Sequence, residues 1–295
     1  MSENGNGLCH LNGRILPLAE ARIDPHDRGF LFGDALYEGF RVLQGVVLHV
    51  DEHMERLRAG LDRMRIPEPE DLPGRCRELV RACRLETGFL YLQVTRGAGP
   101  RSRTPPLDLE PTVFLEATPR VYEVCAAGSR RVVTIADPRW RHCGIKSNSL
   151  AANVLGKLHA AEAGVDEVLF VGDEGDVREG GNTNFFARRG EILETCPVEG
   201  RILPGVTRRL VLELARVLAG ELGLRVEERA PRLVERGCWS EAFLTGTITG
   251  LQPVIELDGE PVGSGAAGPW TRALGAALDE LDARRAAEAT GAVPS

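Results

Sequence analysis

Hydrophobic and polar positions along the chain switch repeatedly between a period of two and a period near 3.6. Residues 13–24 read as a short strand pair, and residues 40–50 as two strands around the Gln44-Gly45 turn. Asp51 is then placed to cap a helix over 51–64 that puts Met54, Leu57, Leu61 and Met64 on one face. A second helix is predicted over 72–86, followed by strands at 88–97 and 112–120. Residues 119–130 have no strong period and read as a connector. Beyond it, 130–137 predicts a strand. Leu150, Val154, Leu155, Leu158 and Ala161 mark one apolar stripe on a helix ending near Gly164. Residues 166–180 and 183–195 predict hairpins, 203–223 one strong helix, and 241–259 two strands around a Gly- and Thr-rich bend. A last helix starts near Pro269, with its Ala-rich end expected to fray and the tail at 286–295 expected to be disordered. Three domain segments result: 1–118, the connector at 119–130, and 131–295.

Composition changes this picture at one place. All but two of the 36 basic residues are arginine, and the two lysines, Lys146 and Lys157, lie eleven residues apart. Arginine stays protonated, whereas a desolvated lysine can give up its proton and act as a nucleophile. Lys157 falls on the flank of the predicted helical stripe and is expected to be solvated. Lys146 precedes that helix, where Ser147, Asn148 or Ser149 is placed to supply the cap. A lysine there opposes the macrodipole and suits an amine meant to lose its charge.

The remaining bulk properties narrow the class. A chain of 295 residues can bury a substantial core, and its net charge of −7 argues against nucleic acid as a main partner. No apolar run approaches 18 residues, and the first residues lack a signal peptide's charged and apolar regions, so a cytoplasmic protein with reduced cysteines is expected. His49 and His53 have the spacing of a helical zinc pair, but no third ligand is near in sequence, so no metal site is expected.

Two further features join Lys146. Pro204-Gly205-Val206-Thr207 leads straight into the helix predicted over 203–223, where unpaired amide groups and a hydroxyl can take an anion, although plain capping would look the same. The bend carrying Thr245, Thr247 and Thr249 adds small hydroxyl residues. Glu179 stands before Gly180-Gly181, as a surface charge or as a carboxylate aimed at a cofactor. A nucleophilic lysine, a phosphate cup and a lone carboxylate together suggest pyridoxal 5′-phosphate.

The ordered motifs also carry a resemblance. DRGFLFGDALYEGFRV, EHMERL, YLQVTRGAGPR, RWRHCGIKS, REGGNTNFF, LPGVTR and TGTITGLQPVIELDG follow one another over most of the chain. Together they are similar to the fold-type IV pyridoxal-phosphate enzymes, and most of all to D-amino-acid aminotransferases. The resemblance implies an α/β (α+β) two-domain fold, with a small N-terminal α/β domain and a larger C-terminal domain built on a barrel-like sheet. It implies a homodimer whose Arg101 loop reaches the neighbour's site. It puts Lys146 at the cofactor-binding lysine and Glu179 at the pyridine-nitrogen acid, with Arg56, Asn184, Leu203, Val206, Thr207 and Thr247 completing the cofactor set. Tyr37, Arg101 and Arg103 fall at the substrate-carboxylate positions, Arg103 replacing an expected histidine. An arginine there still binds a carboxylate, in bidentate fashion.

The implied reaction moves an amino group from a D-amino acid such as D-alanine to a 2-oxo acid such as 2-oxoglutarate. Branched-chain L-amino-acid transamination stays open because YEGFRV resembles that subfamily. Against it, Ala151 stands where those enzymes carry a tyrosine. Aminodeoxychorismate lyase and (R)-amine chemistry share the same cofactor residues.

Overall fold

The computed structural model describes residues 7–199 and 201–291; the opening residues read above for targeting, and the end of the Ala-rich tail, lie outside them. The chain divides into two compact units. The first takes the residues up to 121, residues 145–149 and those from 282 onward. The second takes 122–144 and 150–281. The lysine segment at 145–149 therefore belongs to the first unit, although the chain on either side of it belongs to the second.

The first unit holds β1 (Leu8–Leu11), β2 (Arg14–Pro17), α1 (Arg28–Phe32), β3 (Ala35–Leu43), β4 (Val46–Val47), α2 (Val50–Met64), α3 (Leu72–Ala82), β5 (Thr87–Thr95) and β6 (Val113–Pro119). Its six strands form one antiparallel sheet in the order β2-β1-β6-β5-β3-β4. The predicted stripe of α2 buries Met54, Leu57 and Leu61, while Met64 is only partly buried. Each fully buried leucine contributes about 2 kcal/mol. The helix approaches the sheet closely because residue 60 is glycine: a Cβ there would stand 2.5 Å from Leu36.

Several boundaries move. The cap of α2 is His49, in the left-handed region at φ 53°, and Asp51 sits inside the first turn. An acid in the first turn serves the helix dipole as well as a cap does, so sequence pattern alone does not separate the two. The strand before it stops at Val47, and α3 ends at Ala82, four residues short of its expected end.

The second unit holds β7 (Arg130–Ala136), α4 (Ala151–Glu162), β8 (Glu167–Val171), β9 (Val177–Gly180), β10 (Asn184–Arg189), β11 (Ile192–Thr195), α5 (Val206–Val217), α6 (Ala219–Leu222), β12 (Arg225–Glu227), β13 (Trp239–Gly246), β14 (Gly250–Leu257), β15 (Glu260–Pro261) and most of α7 (Pro269–Thr290). Its sheet runs β12-β11-β10-β13-β14-β7-β8-β9, and β9 also pairs with β10. That last pairing closes the path from β10 round to β9 into a barrel. The closing pair is Asn184 opposite Glu179. Inside, Phe185, Trp239, Leu169 and Val254 pack together; on the opposite face of the sheet Phe186 stacks on Phe243, in one cluster with Leu210 and Val211 of α5 and Leu274 of α7.

Several expectations about the helices change. The helix expected over 203–223 breaks at Leu218 into α5 and α6. The Ala-rich end does not fray: α7 continues to Thr290, with Ala286 wholly buried. The helix after Lys146 is capped by Leu150, not by Ser147, Asn148 or Ser149. Its apolar stripe faces outward, with Val154 55%, Leu155 63% and Leu158 54% exposed. The buried face carries Gly156 and Ala160 instead, because β8 lies so close that a Cβ on Gly156 would stand 2.9 Å from Phe170. Closeness of approach, set by the small residues, outweighs the apolar count.

Candidate functional site

In the first unit, Lys146 is held as an extra extended segment beside β3. Tyr37 N–H donates to the Lys146 carbonyl at 3.1 Å, Ser147 bridges Leu36, and Asn148 N–H donates to the Ala35 carbonyl. Gly33 allows this approach. It sits at φ 64°, and a Cβ there would meet Ser149 Oγ at 2.8 Å. Lys146 is therefore not at a helix mouth, and the macrodipole argument does not apply to it. Its Nζ lies 4.2 Å from the centre of the Tyr37 ring, so the structure brings Lys146 and Tyr37 together. Tyr37 in turn packs 5.8 Å from Tyr91, whose phenol burial pushes up to about 12.

Arg56, on α2, is oriented by Glu38 of β3. Its Nε and Nη2 donate to the two carboxylate oxygens at 2.8 and 2.7 Å. His53 Nδ1 lies 2.7 Å from the same carboxylate and, in the tautomer with hydrogen there, donates to it. Burial lowers the His53 pKa. Burial also opposes charge on Glu38, but Arg56 and His53 outweigh it and hold the carboxyl well below the usual range. Arg101 and Arg103 are exposed on the loop between β5 and β6. That loop is tied down by Arg28, which donates to the Ser102 carbonyl at 2.6 Å, and the Arg101 guanidinium lies 5.9 Å from the Phe32 ring.

In the second unit, Glu179 ends β9 with its side chain 6% exposed. Asn184 Nδ2 donates to one of its oxygens and to the Leu203 carbonyl, both at 3.0 Å, while Leu203 N–H donates back to both carboxylate oxygens at 3.1 Å. The barrel closure thus fastens Glu179 to the segment leading into α5. Gly205 precedes that helix without a side-chain cap, and a Cβ there would meet Asn184 Oδ1 at 2.0 Å. Val206 and Thr207 occupy the first turn, where amide groups point out of the helix end. Thr247 lies in the tight bend between β13 and β14. The structure therefore brings Glu179, Asn184 and Leu203 together and leads from them directly to Val206 and Thr207.

Sequence reasoning missed what stands behind Glu179. Arg139 Nη1 donates to its carboxylate, while Arg139 Nε and Nη2 grip Asp137 at 2.9 Å each. The guanidinium lies 4.4 Å from the Phe170 ring centre. Arg178 joins Asp137 at 2.8 Å and Asp176 at 3.0 Å. Burial, opposed by Arg139 and the Leu203 amide, pushes the Glu179 carboxyl up to about 7. The Asp-Pro-Arg run beside the lysine motif was a readable signal, but strand alternation cannot show that Arg139 turns toward Glu179. Lys157, expected in solvent, is 42% exposed, and its Nζ also pairs with the buried Glu167 at 3.0 Å. Glu167 also accepts from Gly181 N–H, steadying the turn between Glu179 and Asn184. His49 is taken up by Asp282 at 2.6 Å, and among the described residues no group of three His, Cys, Asp or Glu is placed to hold a metal.

This cluster gives a direct test of whether pyridoxal phosphate fits. Three carboxylates, Asp137, Asp176 and Glu179, face two guanidiniums, Arg139 and Arg178. Arg201 reaches Asp176 only at 3.6 Å and is 58% exposed, so solvent screens it. A buried site with one carboxylate more than it has guanidiniums, in which Glu179 shares its arginine with Asp137, fits a ring whose nitrogen carries a proton.

The family model for amino-transferase class IV matches residues 35–257. The chain is 37% identical over 273 residues to a D-alanine aminotransferase of Bacillus licheniformis, covering 90% of this chain and 94% of the relative. It is 32% identical to a putative branched-chain-amino-acid aminotransferase of Methanocaldococcus jannaschii, covering 90% and 93%. Among solved structures it resembles a branched-chain amino acid aminotransferase of Thermobaculum terrenum in its PLP form, with a TM-score of 0.83, 26% identity and 96% of each chain covered. The architecture is the two-domain fold-type IV fold that the motifs implied.

Proposed function

The chain belongs to the amino-transferase class IV family, and on that premise we propose that it moves the amino group of a D-amino acid, such as D-alanine, to a 2-oxo acid such as 2-oxoglutarate. The observation that carries the cofactor reading is the buried Glu179 carboxylate, whose arginine is shared with Asp137, on a segment that runs straight into the open first turn of α5. Lys146 would hold pyridoxal phosphate and move the substrate's Cα proton with its Nζ. Glu179 would stabilise a protonated ring nitrogen, and Asn184 and Leu203 hold its carboxylate in place. Arg56, Val206, Thr207 and Thr247 take the phosphate. The cofactor supplies an electron sink for the pair left on Cα.

The substrate carboxylate meets Tyr37 and, from a second copy in a homodimer, Arg101 and Arg103. Where that carboxylate is held decides which Cα–H bond faces Lys146, so handedness depends on the arginine loop. The 37% identity to a D-alanine aminotransferase supports the D reading. The M. jannaschii relative favours L-branched-chain substrates as the second reading. The test is the visible spectrum of the purified protein, followed by 2-oxoglutarate-dependent turnover of D-alanine, L-leucine and an (R)-amine. Turnover of D-alanine with a visible cofactor band is expected. Preference for L-leucine would transfer the proposal to the second reading, and absence of the band would remove the cofactor.

A further inference from the structure

Arg139 faces two carboxylates at once. It gives two nitrogens to Asp137 and one to Glu179. Asp137 is 2% exposed and is drawn on from both sides, by Arg139 and by Arg178. Burial works against its charge, but the hydrogen bonds from the two arginines win and lower its pKa. Asp137 takes no part in the proposed chemistry, and a neutral residue at 137 would remove one buried charge that has to be compensated. The cluster has a different logic once its charges are counted. With Asp137 ionised, Arg139 is shared and Glu179 keeps negative charge to spare. With a neutral side chain at 137, Arg139 and Glu179 would compensate each other, leaving little for a cationic partner.

We propose that Asp137 is a positioning residue for the transamination: by drawing Arg139 onto itself it leaves the Glu179 carboxylate under-compensated, and so ready for a protonated ring nitrogen. This rests on the assignment of Glu179 in the proposed function. Arg178 works in the opposite sense, because by engaging Asp137 it frees part of Arg139 for Glu179. The other groups facing the cluster are Asp176, Cys143, Cys196 and the exposed Arg201, with the Asn184 amide and the Leu203 N–H on the remaining sides of Glu179. The thiols are neutral near pH 7, their pKa values being raised by burial.

The two opposite signs make the test. In the full-length chain, the Glu179 carboxyl is titrated by difference infrared spectroscopy, its signal identified by its loss in Glu179→Gln. Asp137→Asn should lower the midpoint by about one pH unit, and Arg178→Gln should raise it by a similar amount, the scale of one nearby charge at a protein's effective dielectric. A purely structural role would move both variants the same way or not at all, and either result overturns the proposal. A second readout is the preference for pyridoxal phosphate over its 1-deaza analogue, which lacks the ring nitrogen. That preference should shrink roughly tenfold in Asp137→Asn, in step with a one-unit midpoint shift; an unchanged preference overturns the proposal. If wild type shows no preference while the midpoints still shift in opposite directions, the assignment of Glu179 to the ring nitrogen fails and the Asp137 relay stands.

Discussion

Two buried glutamates, one in each unit, are both paired with arginine and shift their pKa values in opposite directions. Glu38 receives two nitrogens from Arg56 and a third hydrogen bond from His53, and stays ionised far into acid. Glu179 receives one nitrogen from an arginine whose other two contacts go to Asp137, and burial lifts it to about 7. Depth is not the difference, since both are almost fully buried. The difference is how much of the neighbouring cation each carboxylate can claim. A carboxylate with an exclusive partner is a structural anchor, and one with a shared partner has charge left for chemistry.

The largest effect that would break this comparison comes from Glu179→Gln. The amide still hydrogen-bonds but cannot stabilise a positive ring nitrogen, so kcat should fall by about 10² or more while cofactor is retained. Near wild-type turnover would remove Glu179 from the chemistry. Glu38→Gln should do the reverse. It leaves Arg56 buried beside a neutral group, and equilibrium denaturation should show a loss of about 3 kcal/mol. With cofactor saturating, kcat should change only a few-fold, whereas cofactor should leave more readily on dialysis because Arg56 loses its orientation.

The pH dependence of stability separates the two glutamates more finely. The folded pKa of Glu38 lies below its unfolded value, so its stabilisation is present above about pH 4.5 and is lost as pH falls toward the folded value. The folded pKa of Glu179 lies above its unfolded value. Its contribution is present below about pH 4.5 and is lost as pH rises through about 7. Between those limits the cofactor-free chain should lose stability at up to about 1 kcal/mol per pH unit, read as Tm against pH, and Glu179→Gln should flatten that slope. An unchanged slope would mean that Glu179 is not buried as a charge.

The smallest effect belongs to Lys157, and Lys146 supplies the contrast. Lys157→Ala removes one of several donors to Glu167 and should cost about 1 kcal/mol, discounted because the lysine is 42% exposed. Activity should be little changed. Lys146→Ala should abolish both the visible band and turnover at little cost in Tm. Borohydride trapping that labels Lys157 in place of Lys146 would reverse the assignment.

Read along the chain, the alternation of apolar and polar residues determined most strands and the buried face of α2, because these depend on local period alone. The scarcity of lysine picked out Lys146, and the ordered motifs carried the two-domain architecture and the family. Other features depended on contacts between distant segments. Alternation places Glu179 at the end of a strand, but only closure of the barrel at Asn184 shows that the strand end is sealed and dry. The sequence shows an apolar stripe on α4 but not which face is buried, because the helix packs where Gly156 and Ala160 let β8 come close. The mouth of a helix was the sequence reading for Lys146, but pairing with β3 placed it beside Tyr37 instead. The division of Arg139 between Asp137 and Glu179 has no local signature. A charge's partners are fixed by folded distance and by the low dielectric around them, and neither exists until the chain has closed on itself.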